Sequence, residues 1–154
     1  RNNPYLTMII FLNLYNFVKF QVLNKQVMIA SHESFENQNA RFWIEKGILF
    51  FEYKANTAID LQVAVRVVAD RIAFQNERQF PVFCDTRGIT SIDKAARDYL
   101  AKSGSLLAKA VALIGSENVS MTMSTFYLEI SKPSVPTRIF TVEQEALDYL
   151  TDFV

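Results

Sequence analysis

The stretch Phe80-Pro81-Val82-Phe83-Cys84-Asp85 restricts this chain more than any other. It is apolar until its last residue and does not alternate, the mark of a strand covered on both faces inside a sheet flanked by helices. Pro81 suits the start of such a strand, where a missing N–H is tolerated. Lys109-Ala110-Val111-Ala112-Leu113-Ile114-Gly115 repeats the pattern. A chain with two such strands must supply helices to cover them, which makes it an α/β protein.

The remaining elements follow from changes of period. Phe42 to Tyr53 reads as a β-hairpin around Lys46-Gly47, because glycine supplies the positive φ of a short turn. Phe42 and Ile44, then Leu49, Phe51 and Tyr53, fall on one face, and Glu45 and Glu52 contribute to the other. Trp43 is also left to the second face, where packing under a helix is favoured over exposed recognition. Asp60 is an N-cap for a helix reaching Asn76, with Leu61, Ala64, Val65, Val68 and Ile72 inward, Val63, Val67 and Phe74 widening the stripe, and Arg66, Asp70 and Arg71 solvated. Asp93 caps a second helix with Ala96, Tyr99 and Leu100 inward, and Gly104 stops it. A third helix starts at Ser116, carries Val119, Met123, Phe126 and Ile130 on one face and ends at Lys132-Pro133. Thr137 to Phe140 makes an edge strand, and Thr141-Val142-Glu143-Gln144 is a capping box for a last helix with Ala146, Leu147, Leu150 and Phe153 inward. The order ββαβαβαβα with right-handed crossovers requires a mixed sheet with helices packed on it.

Residues 1–40 read as an extraneous or loosely structured segment, and 41–154 as a single domain. The first acidic residue is Glu33, and the apolar run from Tyr5 to Val18 is interrupted by Asn13 and Asn16, too short for a spanning helix. Met28 is a candidate native start, with residues 1–27 as translated upstream sequence; the competing reading is an interfacial amphipathic anchor. His32, the one histidine, has no second ligand or catalytic partner nearby, so no metal site is expected.

Sixteen basic residues balance sixteen acidic ones, which leaves no global field for a polyanion and argues against nucleic acid. A single cysteine, Cys84, excludes an internal disulfide and fits a reducing cytoplasm. No glycine-rich phosphate loop and no nucleophile–base pair is present, so the expectation is a protein that is not an enzyme and needs no cofactor.

What remains is the corner from Asp85 to Arg97. Asp85, Thr86 and Arg87 leave a strand, and Ser91, Asp93, Lys94 and Arg97 gather at the start of the following helix, where free N–H groups suit an anion or a partner's charged side chain. The plainer alternative is that Asp85 accepts loop N–H bonds, Arg87 is solvated or pairs with Asp93, and Asp93 only caps. Met123 and Phe126 are candidates for an adaptable apolar pocket, against a plain core role.

These residues carry a resemblance. The element order from Arg41 to Val154 resembles the SpoIIAA-like or STAS group, the fold of anti-sigma-factor antagonists. In that group a strand ends in Asp, as at Asp85, and a loop leads to Asp-Ser-Ser-Gly, whose second serine is the phosphorylated switch. Here the stretch is Asp93-Lys94-Ala95-Ala96, so Ala95 removes the acceptor at that position. Phe42 to Leu49, Pro81 to Asp85 with Ala96 to Leu100, and Lys132 to Thr137 look more narrowly like an uncharacterised bacterial branch, frequent among Bacteroidetes, known as STAS/SEC14-like. The resemblance implies a cytoplasmic regulatory module that binds another protein through the Asp85–Arg97 corner. Its SEC14-like half implies instead a carrier of a small apolar ligand or lipid.

Overall fold

The computed structural model describes residues 15–17, 19, 33–116, 122, 125 and 127–154. Contacts divide the chain into two units, Arg1–Glu33 and Ser34–Val154, and the second is the subject here. Its strands are β1 (Ser34–Glu36), β2 (Ala40–Glu45), β3 (Ile48–Tyr53), β4 (Thr57–Ile59), β5 (Phe80–Asp85), β6 (Ile89–Ile92), β7 (Ala108–Ile114) and β8 (Thr137–Phe140). Among its described elements the α-helices are α1 (Leu61–Gln75), α2 (Lys94–Ser103) and α3 (Glu143–Thr151), with a π-helical turn at Tyr127–Ser131.

The main sheet has the order β1-β2-β3-β5-β7-β8. Its first three strands pair antiparallel and the rest parallel, so the sheet is mixed, as the alternation of elements requires. Lys46 and Gly47 both take positive φ, 50° and 79°, which lets a two-residue turn follow the twist of its strands. Pro81 sits where the β5–β7 register shifts, between Phe80 and Val82, so its missing N–H falls on an irregular part of the ladder.

Three short strands extend the expected order. β1 lies within the polar stretch before Arg41 and adds an edge strand beside β2. β4 and β6 form a separate two-stranded parallel sheet, so a strand stands inside the corner between Asp85 and Asp93.

Two cores follow from the pleat. One face carries Phe42, Leu49, Phe51, Tyr53 and Val82 against Ala64 and Val67 of α1 and Ala96 of α2. The other carries Ile48, Phe83, Ala110, Ala112 and Ile114 against Ala146 and Leu150 of α3. Trp43 is half-buried. It stacks on Phe50 at 5.1 Å with the Arg41 guanidinium 4.9 Å from its ring.

The helix caps hold at two of three places. Asp60 accepts from Val63 N at 2.8 Å and Asp93 from Ala96 N at 2.7 Å. The capping box at Thr141 does not form: α3 starts from Val142 with no side-chain cap. Its glutamine donates forward to Asp148 at 2.8 Å, and Glu143 turns to Arg87.

The buried line of α1 also differs from the expected stripe. Leu61 and Val65 are 43% and 42% exposed, while Ala64, Val67, Val68, Arg71 and Gln75 are buried. Arg71 therefore lies inward, not on the solvated side, because Gln75 and the Gly104 carbonyl receive its guanidinium. Ile130, expected to face in, is 59% exposed; Tyr127 holds the inward position of that turn. Val119, Met123 and Phe126 lie outside the described residues.

Candidate functional site

The corner begins where β5 runs out. Thr86 donates through both its N–H and its hydroxyl to the Ile114 carbonyl, at 2.9 and 2.7 Å, which splices the strand end to β7. Asp85 then accepts the Arg87 N–H at 3.0 Å and grips its guanidinium through Nε at 2.9 Å and Nη2 at 2.5 Å. The same Nη2 donates to Glu143 at 2.7 Å. Arg87 thus ties the end of β5 to the first turn of α3, where acidic side chains also favour the helix dipole. Hydrogen bonds from Asp85 first, then Glu143, hold the Arg87 pKa above its ordinary value against partial burial.

Beyond Gly88 the chain turns back as β6. Gly88 O accepts Thr57 N at 3.0 Å, Asp93 N donates to Ile59 O at 3.1 Å, and the two ends of the β4–β6 pair are fixed. Ser91 is exposed on β6. Asp93 is used as a cap, Lys94 pairs with Asp98 at 2.6 Å, and Arg97 Nη1 donates to Ile92 O at 2.8 Å. Apart from Ser91, the candidates therefore fall into two groups. Asp85, Thr86 and Arg87 lock strand ends together; Asp93, Lys94 and Arg97 organise the start of α2. Arg87 pairs with Asp85 and Glu143, in place of the Asp93 partner considered for it.

A second place carries chemistry that the sequence left unmarked. Between the sheet and the α1–α2 layer lies a cavity of about 100 Å³, walled by Val67 and Val68 of α1, Val82 of β5, Ile89 and Ile92 of β6, Leu100 of α2 and Leu113 of β7. Tyr53, Arg71, Cys84, Thr86, Ser105 and Tyr127 also line it, and among its lining residues only Arg71 carries charge.

Arg71 is 3% exposed. Its Nη1 donates to Gln75 Oε1 and its Nη2 to Gly104 O at 3.0 Å. Gln75, itself fully buried, passes the bracing on by donating to the carbonyls of Arg78 and Leu107 at 3.0 and 2.9 Å. Both acceptors of Arg71 are neutral, and no carboxylate pairs with it among the described residues. Burial lowers its pKa, an effect that Cys84, Tyr53 and Tyr127 oppose. A guanidinium stays protonated regardless, so a desolvated positive charge faces an apolar space.

The other ionisable groups there are neutral near pH 7. Burial pushes the Cys84 thiol up to about 12, with Asp85 adding to the shift and Arg71 opposing it. Burial likewise raises the Tyr53 and Tyr127 phenols. Tyr127 OH donates to Leu100 O at 3.3 Å. The Ser105 hydroxyl, 4% exposed, has no hydrogen-bond partner among the described residues, and it lies near enough to Tyr127 to oppose the upward shift of that phenol.

One sequence signal pointed inward. Arg71 and Gln75 continue the line Ala64, Val67, Val68 at helical spacing, so they share the buried face and not the solvated one. Met123 and Phe126, the pocket candidates, lie outside the described residues. Among the described residues no group of three His, Cys, Asp or Glu side chains stands close enough to hold a metal, and no helix is long and apolar enough to cross a membrane.

Residues 42–154 match the family described as Domain of unknown function (DUF7793), and the chain belongs to that family. No curated protein matches it. Among solved structures, an uncharacterized protein of the DUF3478 family with a SpoIIAA-like fold, from Shewanella loihica PV-4, is 17% identical with a TM-score of 0.46. That match covers 75% of this chain and 98% of the other.

Proposed function

For this member of the DUF7793 family we propose a non-catalytic binding function, with a small, largely apolar ligand held in the cavity between α1, α2 and the sheet. The observation that carries the reading is the cavity itself. Protein interiors are packed to crystal-like density with few voids larger than a water, and this space is bounded by β3, α1, β5, β6, α2 and β7 together with Tyr127. A ligand there contacts α1, α2 and β6 together, so its arrival stiffens the corner that β6 belongs to and gives binding a route to a regulatory output.

Xenon tests the cavity directly, because apolar cavities of this order take it up. Under xenon pressure the methyl resonances of Val67, Ile89 and Leu113 are expected to shift together, while those of Ile48 on the opposite face stay. Unmoved cavity methyls would sink the reading.

A regulatory docking role for the Asp85–Arg97 corner is supported by its accessible side chains, exposed Ser91 and Lys94 and an Arg87 side chain 46% exposed. Its test is co-purification: if Arg87→Ala together with Asp93→Ala leaves every bound protein in place, that corner is not the docking surface.

A further inference from the structure

We propose that the cavity takes a small monocarboxylate, its carboxylate held by the buried Arg71 guanidinium and the Ser105 hydroxyl and its compact apolar tail lying among Val67, Ile89 and Leu113. This rests on the cavity reading above and names the chemistry of its ligand.

Charge sets the class. Arg71 is the one charged group among the lining residues and has no anionic partner among the described residues, so a single negative charge completes the site. A phosphate would bring more charge than one guanidinium neutralises. The neighbouring thiol and phenols cannot supply the anion, since burial keeps Cys84, Tyr53 and Tyr127 protonated.

Donor geometry points the same way. A guanidinium carries five N–H donors in a planar fork suited to carboxylate, and Gln75 and Gly104 occupy two of them. The buried Ser105 hydroxyl, which has no hydrogen-bond partner among the described residues, adds a donor. Gln75 fixes the guanidinium from behind, through its own bonds to Arg78 and Leu107, so the free donors are oriented before the ligand arrives. Such preorganisation lowers the entropic cost of binding.

Size sets the tail. About 100 Å³ is less than the roughly 150 Å³ of an engineered cavity that accepts benzene, so the apolar part is a few carbons, branched or compact.

The experiment is a titration of the intact chain, followed by NMR, with isobutyrate and with its neutral near-isostere isobutyramide. Isobutyrate is expected to bind about tenfold or more tighter, the gain that charge-assisted hydrogen bonds give over neutral ones, and to move the Arg71 Nε–H resonance. Arg71→Met is expected to abolish that preference while xenon still shifts the cavity methyls, which shows that the variant is folded. Equal affinity for acid and amide, or a preference that survives Arg71→Met, overturns the carboxylate assignment and leaves the cavity reading standing. Failure of xenon to enter the wild-type protein overturns both. If Arg71→Met does not fold, the wild-type Nε–H resonance decides: no shift at saturating isobutyrate refutes the contact.

Discussion

Replacing Gly88 with alanine tests how the corner and the cavity wall are joined. Gly88 turns the chain from β5 into β6 against the end of β3, and a Cβ built on it would meet the backbone carbonyl oxygens of Tyr53 and Lys54, with the Lys54 carbonyl carbon at 2.7 Å. Carbon atoms rest at about 3.5–4.0 Å, so the two backbones must part by about 1 Å. Neither side can yield by a rotamer change. Overpacking of this kind costs roughly 1–3 kcal/mol, and displacement also endangers the Thr57 N–H bond to Gly88 O, about 1 kcal/mol. Loss of glycine's freedom in the unfolded chain returns about 0.4–1 kcal/mol. The expected net loss is about 1–3.5 kcal/mol, which is a fall of roughly 4–14 °C in Tm for a domain of this size. Urea titration followed by the fluorescence of Trp43, the only tryptophan, measures it, with exposed Ser91→Ala as the control. A loss below about 0.5 kcal/mol, the scatter of ordinary surface changes, would refute the steric account. Because Ile89 follows Gly88 and lines the cavity, the variant should also take up less xenon.

Asp60→Ala and Asp93→Ala should each cost about 1 kcal/mol in urea denaturation, since each removes a cap bond. Thr141→Ala should change stability by less than about 0.5 kcal/mol, because no cap bond is made there. Alkaline pH should destabilise the fold. Cys84 is raised from 9.0 to about 12, so the unfolded chain loses this proton first. Stability is then full below about pH 9 and falls as pH rises toward 12, with Tyr53 and Tyr127 acting in the same direction. Denaturation midpoints across that range check the sign. A disulfide reagent at pH 8 should label the half-buried Cys84 far more slowly than a free thiol, because so little of it is thiolate at that pH, and rapid labelling of the native protein would contradict the raised pKa.

The elements that could be read from the sequence are those whose signal is local. Lys46-Gly47 fixes the hairpin, Asp60 and Asp93 announce their helices, and Phe80 to Asp85 declares a strand covered on both faces. What escaped was decided by contacts distant along the chain. Ser34–Glu36, Thr57–Ile59 and Ile89–Ile92 are three or four residues long, too short for a period to show, and each becomes a strand only by meeting its partner. Thr141 has the composition of a cap, yet Glu143 in the same turn is claimed by Arg87, a residue 56 positions earlier in the chain, just past the end of β5. Its charge alone sends Arg71 to solvent, but its position on the helix puts it inside, and the acceptors that make this tolerable, Gln75 and Gly104 O, belong to a later turn and to another element.

The corner and the cavity are two views of one construction. The seven polar residues of the corner mostly serve the frame: Arg87 answers Asp85 and Glu143, Asp93 caps, and Thr86 holds β7. Their combined effect is to hold β6 where Ile89 and Ile92 wall the cavity. A surface whose charges are satisfied by one another has little left to attract an ion, whereas Arg71 has a buried charge and neutral partners only. Burying an ion without a counter-charge costs several kcal/mol, and a well-packed apolar residue at that position would avoid the cost. The fold tolerates the ion behind a braced glutamine and before an apolar space, an arrangement with a physical purpose once an anion of matching size enters. On the binding function proposed above, the site sits one layer beneath the stretch that the sequence makes conspicuous.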